Sequence, residues 1–139
     1  MCATKDAGSI SVSNDADTFD STCDGRFTVV VGFSSQGTPV SLVDVDAGSE
    51  VAKLGYPNKL ARSVAVGDDT QTVLVVLDNA AMSNASTVNR LVLGNGTLTD
   101  SGAQLAFAAS DFVSKVRIAP GSRVGVALIV GNAGPGVGP

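Results

Sequence analysis

Acidic side chains are the residues of this chain whose type and spacing could do chemistry. Calcium prefers several oxygen ligands from closely spaced carboxylates and carbonyls, which turns can supply. Asp is also common at turns for a structural reason, since its side chain accepts hydrogen bonds from nearby backbone N–H groups. No cofactor is therefore expected, and calcium at Asp15, Asp17 and Asp20 is the metal site to test. The acidic groups in stretches that predict turns are Asp15, Asp17 and Asp20, then Asp44, Asp46 and Glu50, and finally Asp68 and Asp69.

Catalytic chemistry is restricted by the absence of histidine from the chain. Without it, Ser-His-Asp and Cys-His nucleophilic sites, His-based zinc sites and the commonest general base are excluded. Cys23 lies beside Asp24, whose negative charge disfavours a reactive thiolate. No residue is predicted to be catalytic, and none is predicted to hold a cofactor.

The two cysteines, Cys2 and Cys23, fit no CxxC zinc or redox pattern. They could form one disulfide that ties the N-terminus to the first turn, which would require an oxidising compartment. Two unrelated thiols are an equal alternative. The sequence leaves the pairing open.

The charge pattern argues against nucleic acid or an anionic membrane as the main partner, because the net charge is −4 and the basic residues are scattered singly. No apolar run approaches the ~18 residues of a membrane helix. Residues 1–6 are polar and do not begin a signal peptide. A basic patch would exist only if the fold gathered Arg62, Arg90, Lys115, Arg117 and Arg123.

The composition predicts strands rather than helices, since aromatics are only 4% and the apolar residues are mostly Val, Leu, Ile and Ala. One phrase recurs three times: a short strand, a tight turn and a valine-rich run. The copies are FDSTCDGRFTVVVG (19–32), VAVGDDTQTVLVVL (64–77) and VRIAPGSRVGVAL (116–128). Taking Arg26, Thr72 and Arg123 as equivalent, they lie 46 and 51 residues apart. A period of about 40–50 residues built of several strands is typical of β-propeller blades.

About eleven short strands follow from this pattern. They comprise a leading strand at residues 9–13, two four-stranded units and the first half of a third. The last strand of the second unit is expected at residues 104–108. Residues 94–96 (GNG) predict a hairpin turn, and residues 78–86 are the only stretch that could hold a turn of helix. The predicted domain is an incomplete propeller over residues 1–130, followed by a disordered or extended tail at 131–139. A β-sandwich is the alternative, although it does not require the sequence to repeat.

The repeat resembles a known family. The stretch DGRFTVVV (24–31), followed by PVSLVDV (39–45), resembles the blades of YVTN-type propellers, and related patterns occur in choice-of-anchor and lactonase-like propellers. The resemblance implies four-stranded antiparallel blades in an extracytoplasmic or secreted, bacterial-type protein. Lactonase-like propellers place acidic, His and Arg residues around the central channel. The absence of His from this chain favours the architecture without that activity.

The expected function is therefore a non-catalytic propeller segment for binding or surface display, with a protein or small-molecule ligand. The contact regions would be the loops at residues 34–39 and 78–87. The alternative is a piece of a lactonase- or phosphoesterase-like hydrolase that missing blades or another subunit complete. About two and a half blades cannot close a ring alone, since propellers have at least about four. The chain is thus expected to be a fragment, to close a ring with its own copies, or to adopt another β fold.

Overall fold

The computed structural model describes residues 8–79, 86–108, 111–121 and 125–131. Within those ranges the chain is all-β, as predicted, with antiparallel sheets and no helix. Strands β1 to β4 form a four-stranded sheet that we name unit 1, and β5 to β8 form a second one, unit 2. Strands β9 and β10 form a two-stranded sheet, unit 3. The strands are β1 Asp15–Ser21, β2 Phe27–Phe33, β3 Val40–Asp44, β4 Ser49–Leu54, β5 Lys59–Val66, β6 Thr72–Asn79, β7 Ser86–Leu93, β8 Leu98–Ala106, β9 Asp111–Ile118 and β10 Gly125–Gly131.

The first hairpin of units 1 and 2 closes with the same turn. Asp24 accepts a hydrogen bond of 3.0 Å from the backbone N–H of Arg26, and Asp69 accepts one of 3.0 Å from Gln71. Such side-chain bonds stabilise tight turns. Arg26 is therefore equivalent to Gln71, and the expected equivalence with Thr72 is wrong by one residue.

A β-bulge recurs in the first strand of every unit. Asp17, Arg62 and Ser114 are each the extra residue between two consecutive pairs of the ladder. A bulge bends its strand and locally disrupts the period of two. In unit 1 it brings the backbone close to Gly32, where an added Cβ would lie 1.9 Å from the carbonyl oxygen of Asp15. This position requires glycine because the backbone of Asp15 leaves no room for a side chain.

The units pack face to face in chain order. β1 and β2 contact β5, β5 contacts β9, and β4 contacts β8. We call the face of a unit toward the preceding one its front and the opposite face its back. In unit 1 the back packs on unit 2, and the front is the other face. Val75 lies on the front of unit 2 in a core shared with unit 1, and Val76 lies on its back with Val113 and Val116 of unit 3. Both Val75 and Val76 have no exposed surface. Unit 2 is therefore covered on both faces.

Two strand predictions are wrong. Residues 9–13 form no strand, and the first strand, Asp15–Ser21, includes Asp15 and Asp17, which were expected in a turn. β8 is Leu98–Ala106 rather than 104–108, because the hairpin turn at 94–97 leads directly into it. Of the possible helical turn at 78–86, residues 78, 79 and 86 lie in strands, and 80–85 lie outside the described residues. Of the tail expected at 131–139, Gly131 is the last residue of β10, and 132–139 lie outside the described residues.

Candidate functional site

The best candidate binding site lies at the end of the sheets where the β2–β3 loop meets the β4–β5 connection. This end carries residues 34–39, which were expected to be a contact region. The two segments enclose an open cavity of about 320 Å³. It is lined by Phe33, Ser34, Ser35, Gln36, Gly37, Pro57, Asn58 and Lys59.

Hydrogen bonds fix the geometry of this cavity. The backbone N–H of Gly37 donates to the carbonyl oxygen of Ser34 at 3.1 Å, closing the loop. Gly37 has a φ of 74°, a left-handed conformation that favours glycine. Its carbonyl oxygen accepts from the N–H of Tyr56 at 2.8 Å, so the loop is attached to the β4–β5 connection. The cavity is thus formed by backbone that is held in place before any ligand binds.

The lining of the cavity offers groups that can bind a ligand. Phe33 is 46% exposed and offers an aromatic face, while Gln36 and Asn58 offer amide groups and Lys59 an ammonium. None of the lining residues is acidic. Such a set can bind hydroxyl or carboxylate groups beside an apolar surface.

A network of hydrogen bonds holds the β4–β5 connection against unit 2. The Tyr56 hydroxyl donates to Asp100, which also accepts from the side chain of Asn89 at 3.1 Å. Burial raises the pKa of Tyr56, and the bond to Asp100 raises it further. Burial alone would raise the pKa of Asp100, but the hydrogen bonds from Tyr56, the N–H of Gly102 and Asn89 lower it below the ordinary value. Tyr56 is therefore a positioning residue behind the cavity.

The two ends of the second expected contact region, residues 78–87, take part in packing the fold. Asp78 is completely buried at the end of β6 and accepts from the Ser86 hydroxyl at 2.6 Å and from the Arg62 guanidinium. Ser86 in turn accepts from the N–H of Val113 at 3.3 Å. This network joins units 2 and 3. Residues 80–85 of the same loop lie outside the described residues.

The acidic residues of the predicted calcium site lie on a strand instead of a turn. Asp15 and Asp17 are exposed on β1. Asp20 accepts from the N–H of Ser21 at 2.9 Å and from the N–H of Val66 at 2.8 Å, which links unit 1 to unit 2. Among the described residues, no three His, Cys, Asp or Glu side chains are grouped so that they could hold a metal ion. Asp20 is thus engaged in packing between the units.

The described residues of the possible basic patch lie on different strands and have different surroundings. Arg62 pairs with buried Asp78, and Arg90 is exposed on β7. Lys115 and Arg117 alternate on β9, so they share one face of it, and both are exposed. Arg123 lies outside the described residues.

Two local predictions concern turns. Cys23 is disulfide-bonded in the first turn of unit 1, and Cys2, the only other cysteine of the chain, lies outside the described residues. At 94–97 the N–H of Gly94 donates to the carbonyl oxygen of Thr97 at 2.8 Å between β7 and β8. The prediction of a hairpin turn there is confirmed.

Sequence reasoning identified the 34–39 loop but missed Phe33, Asn58 and Lys59. The signal for Asn58 was its place in the Gly-Tyr-Pro-Asn turn, where it adopts a φ of 61°. The meeting of this turn with the β2–β3 loop depends on the packing of unit 1 against unit 2, which no local pattern reveals.

No protein-family model matches the chain, and no curated protein matches it. Among the described residues, no helix has the length and apolar character needed to cross a membrane. The function therefore rests on the geometry of the chain itself.

Proposed function

We propose that the chain is a non-catalytic segment of a β-propeller, similar to YVTN-type blades, that binds a ligand or displays a binding surface. The observation that carries this proposal is the repetition of one unit. Units 1 and 2 share the first-strand bulge, the Asp-stabilised turn and a sheet of four strands in chain order. Four antiparallel strands per repeat are typical of propeller blades.

The stacking of the units supports a propeller over a β-sandwich. A sandwich packs two sheets and leaves their outer faces to solvent. Here the middle sheet is covered on both sides, since unit 1 packs on its front and unit 3 on its back. First strands contact first strands and fourth strands contact fourth strands, which is the arrangement of blades around an axis.

An extracytoplasmic or secreted location is part of the proposal. The disulfide at Cys23 supports it, because disulfides persist mainly in oxidising compartments. The low content of Lys and Arg, nine residues in 139, gives no reason to invoke nucleic acid.

Binding is assigned to the cavity beside residues 34–37. Its aromatic, amide and ammonium groups fit a ligand with hydroxyl or carboxylate groups, either a small molecule or a segment of a protein. The hydrolase alternative stays a prediction from the sequence, since no group in this cavity favours it. Closure of a ring from copies of the chain is the proposed quaternary state.

The test is an NMR titration of the isotope-labelled chain with a panel of monosaccharides and short carboxylates. We expect shifts at the backbone amides of residues 34–37 and 58–59, and their loss in Lys59→Met and Phe33→Ser. Gln71→Ala is the matched control, because Gln71 lines a separate cavity of about 250 Å³ at the opposite end of the sheets. Shifts confined to that other end, or no shifts with any probe, would contradict the assignment.

A further inference from the structure

The front of unit 1 exposes an aromatic residue at a position that is buried in the other units. Phe19 pairs with Val30 in the ladder of unit 1, and Val64 pairs with Val75 at the same place in unit 2. Val116 takes this place in unit 3, two positions before the last ladder pair of β9, as Phe19 and Val64 do in their strands. Phe19 is 68% exposed, whereas Val64 is 3% and Val116 1% exposed. Val64 and Val116 are buried against the preceding unit.

The open part of this front is limited to β1 and β2. Over the outer strands lies the chain that precedes β1. The side chain of Asn14 donates to the carbonyl oxygens of Val30 and Pro39, both at 3.2 Å, and to the Ser41 hydroxyl at 3.1 Å. Ser13 donates to Glu50. This segment therefore reaches as far as β2, and no other described residue covers the front around Phe19, which is 68% exposed. A partner sheet needs only two strands to cover this part of the front.

The back of unit 3 offers strand β9, whose outward side chains are exposed. Ser63 and Ala65 on the back of unit 2 are 4% and 1% exposed, because unit 3 covers them. Their equivalents on β9, by position in the ladder, are Lys115 and Arg117, and both are exposed. Unit 3 thus ends the stack of described sheets with a basic back.

The two faces offer an aromatic ring and cations to one another. Phe19 is exposed on the front of β1, and the back of β9 carries exposed Lys115 and Arg117. A cation over an aromatic face favours contact. The contact between consecutive units within the chain already shows how a front and a back pack together.

We propose that a second copy of the chain docks head to tail, with the back of β9 in one copy against the front of β1 in the other. This interface rests on the proposed propeller function and specifies how copies would meet. The surfaces differ, so the contact is heterologous and can continue from copy to copy until a ring closes. Phe19 is its central residue, and Lys115 and Arg117 provide the charged part.

The test is light scattering on a sizing column over a range of protein concentrations. Wild type should associate as the protein concentration rises. Phe19→Asp should disable the front, and Lys115→Glu with Arg117→Glu should disable the back. Each variant alone should be a monomer, while an equimolar mixture should form a dimer, since one front and one back remain intact. Phe33→Asp, at the exposed aromatic of the loop end, is the matched control and should associate like wild type.

Two results would overturn the proposal: a wild type that is monomeric at every concentration, or a mixture of the two variants that stays monomeric. Circular dichroism and urea unfolding establish that each variant is folded, and Phe19→Ser replaces Phe19→Asp where the charge prevents folding. A monomer that still shows ligand shifts at residues 34–37 would end this proposal and leave the proposed binding function standing. Association without ligand shifts would support this interface and contradict the proposed binding function.

Discussion

Arg62 and Asp78 form an ion pair in which the acidic partner is completely buried. Arg62 is the bulge residue of β5, and the bulge places its guanidinium beside the end of β6. The equivalent bulge residue of unit 1 is Asp17, which is exposed and forms no ion pair with another described residue. This ion pair therefore belongs to the contact between units 2 and 3. There the Ser86 hydroxyl donates to Asp78 and accepts from the backbone N–H of Val113 in β9.

Breaking this pair should destabilise the fold strongly. Arg62→Met leaves the Asp78 carboxylate buried without its cation, which costs about 3 kcal/mol or more in the free energy of unfolding. The double variant Arg62→Met with Asp78→Leu should recover much of that loss, because no unpaired charge remains buried. Urea unfolding measures both. An equal loss in single and double variants would show that packing, not the unpaired charge, sets the cost.

Asp20 is predicted to hold unit 1 on unit 2. Asp20→Ala removes the acceptor for the N–H groups of Ser21 and Val66 and should lower the free energy of unfolding by about 1–3 kcal/mol. Asp15→Ala, on the exposed part of the same strand, is the control and should change it by less than about 0.5 kcal/mol. Faster hydrogen exchange of the Val66 amide in Asp20→Ala would locate the loss at this bond. An unchanged exchange rate would mean that Asp20 does not link the units.

Gly32 should not tolerate a side chain. In Gly32→Ala the new Cβ would meet the backbone of Asp15 at the bulge, and overpacking of this kind costs about 1–3 kcal/mol. Gly55→Ala is the control, since its Cβ would lie 3.7 Å from the nearest atom. Comparison of their thermal midpoints checks the prediction. Equal midpoints would mean that β1 and β2 do not approach as closely as the bulge requires.

Acid should weaken the contact between Tyr56 and unit 2. The pKa of Asp100 is lowered below its ordinary value of 3.8, so its contribution to stability is present above that value and is lost as the pH falls through the lower, folded-state pKa. Tyr56→Phe removes one of the bonds that lower this pKa and should make the acid loss shallower. Urea midpoints measured from pH 5 down to about pH 2 test this, with the expected loss confined to the most acid part. Identical pH profiles of wild type and Tyr56→Phe would contradict it.

The strand-turn-strand repeats could be predicted from the sequence because they depend on local chemistry. Valine-rich runs make the second strands, and Asp24 and Asp69 close the turns through bonds to backbone two residues away. The one-residue error between Thr72 and Gln71 arose because the residues were matched by their position before the valine run. The hydrogen bonds of the turn define the equivalence instead.

The remaining errors involve strands that have little apolar signal. β1 contains Asp15, Asp17 and Asp20, and its bulge disrupts the alternation by which a strand is recognised. After Leu98, β8 continues with Thr99, Asp100 and Ser101, residues that are typical of loops. The cavity beside Phe33 could not be predicted either, because it forms between segments that are distant in the sequence.

The most direct test of the account is the set of methyl contacts of Val75 and Val76 measured by NMR. These neighbouring residues point to opposite faces of unit 2, so stacked blades predict contacts of Val75 with unit 1 and of Val76 with Val113 and Val116 of unit 3. Detection of both sets would support units packed in series. A Val76 side chain in contact with solvent, without contacts to β9, would contradict the propeller arrangement and favour a two-sheet sandwich.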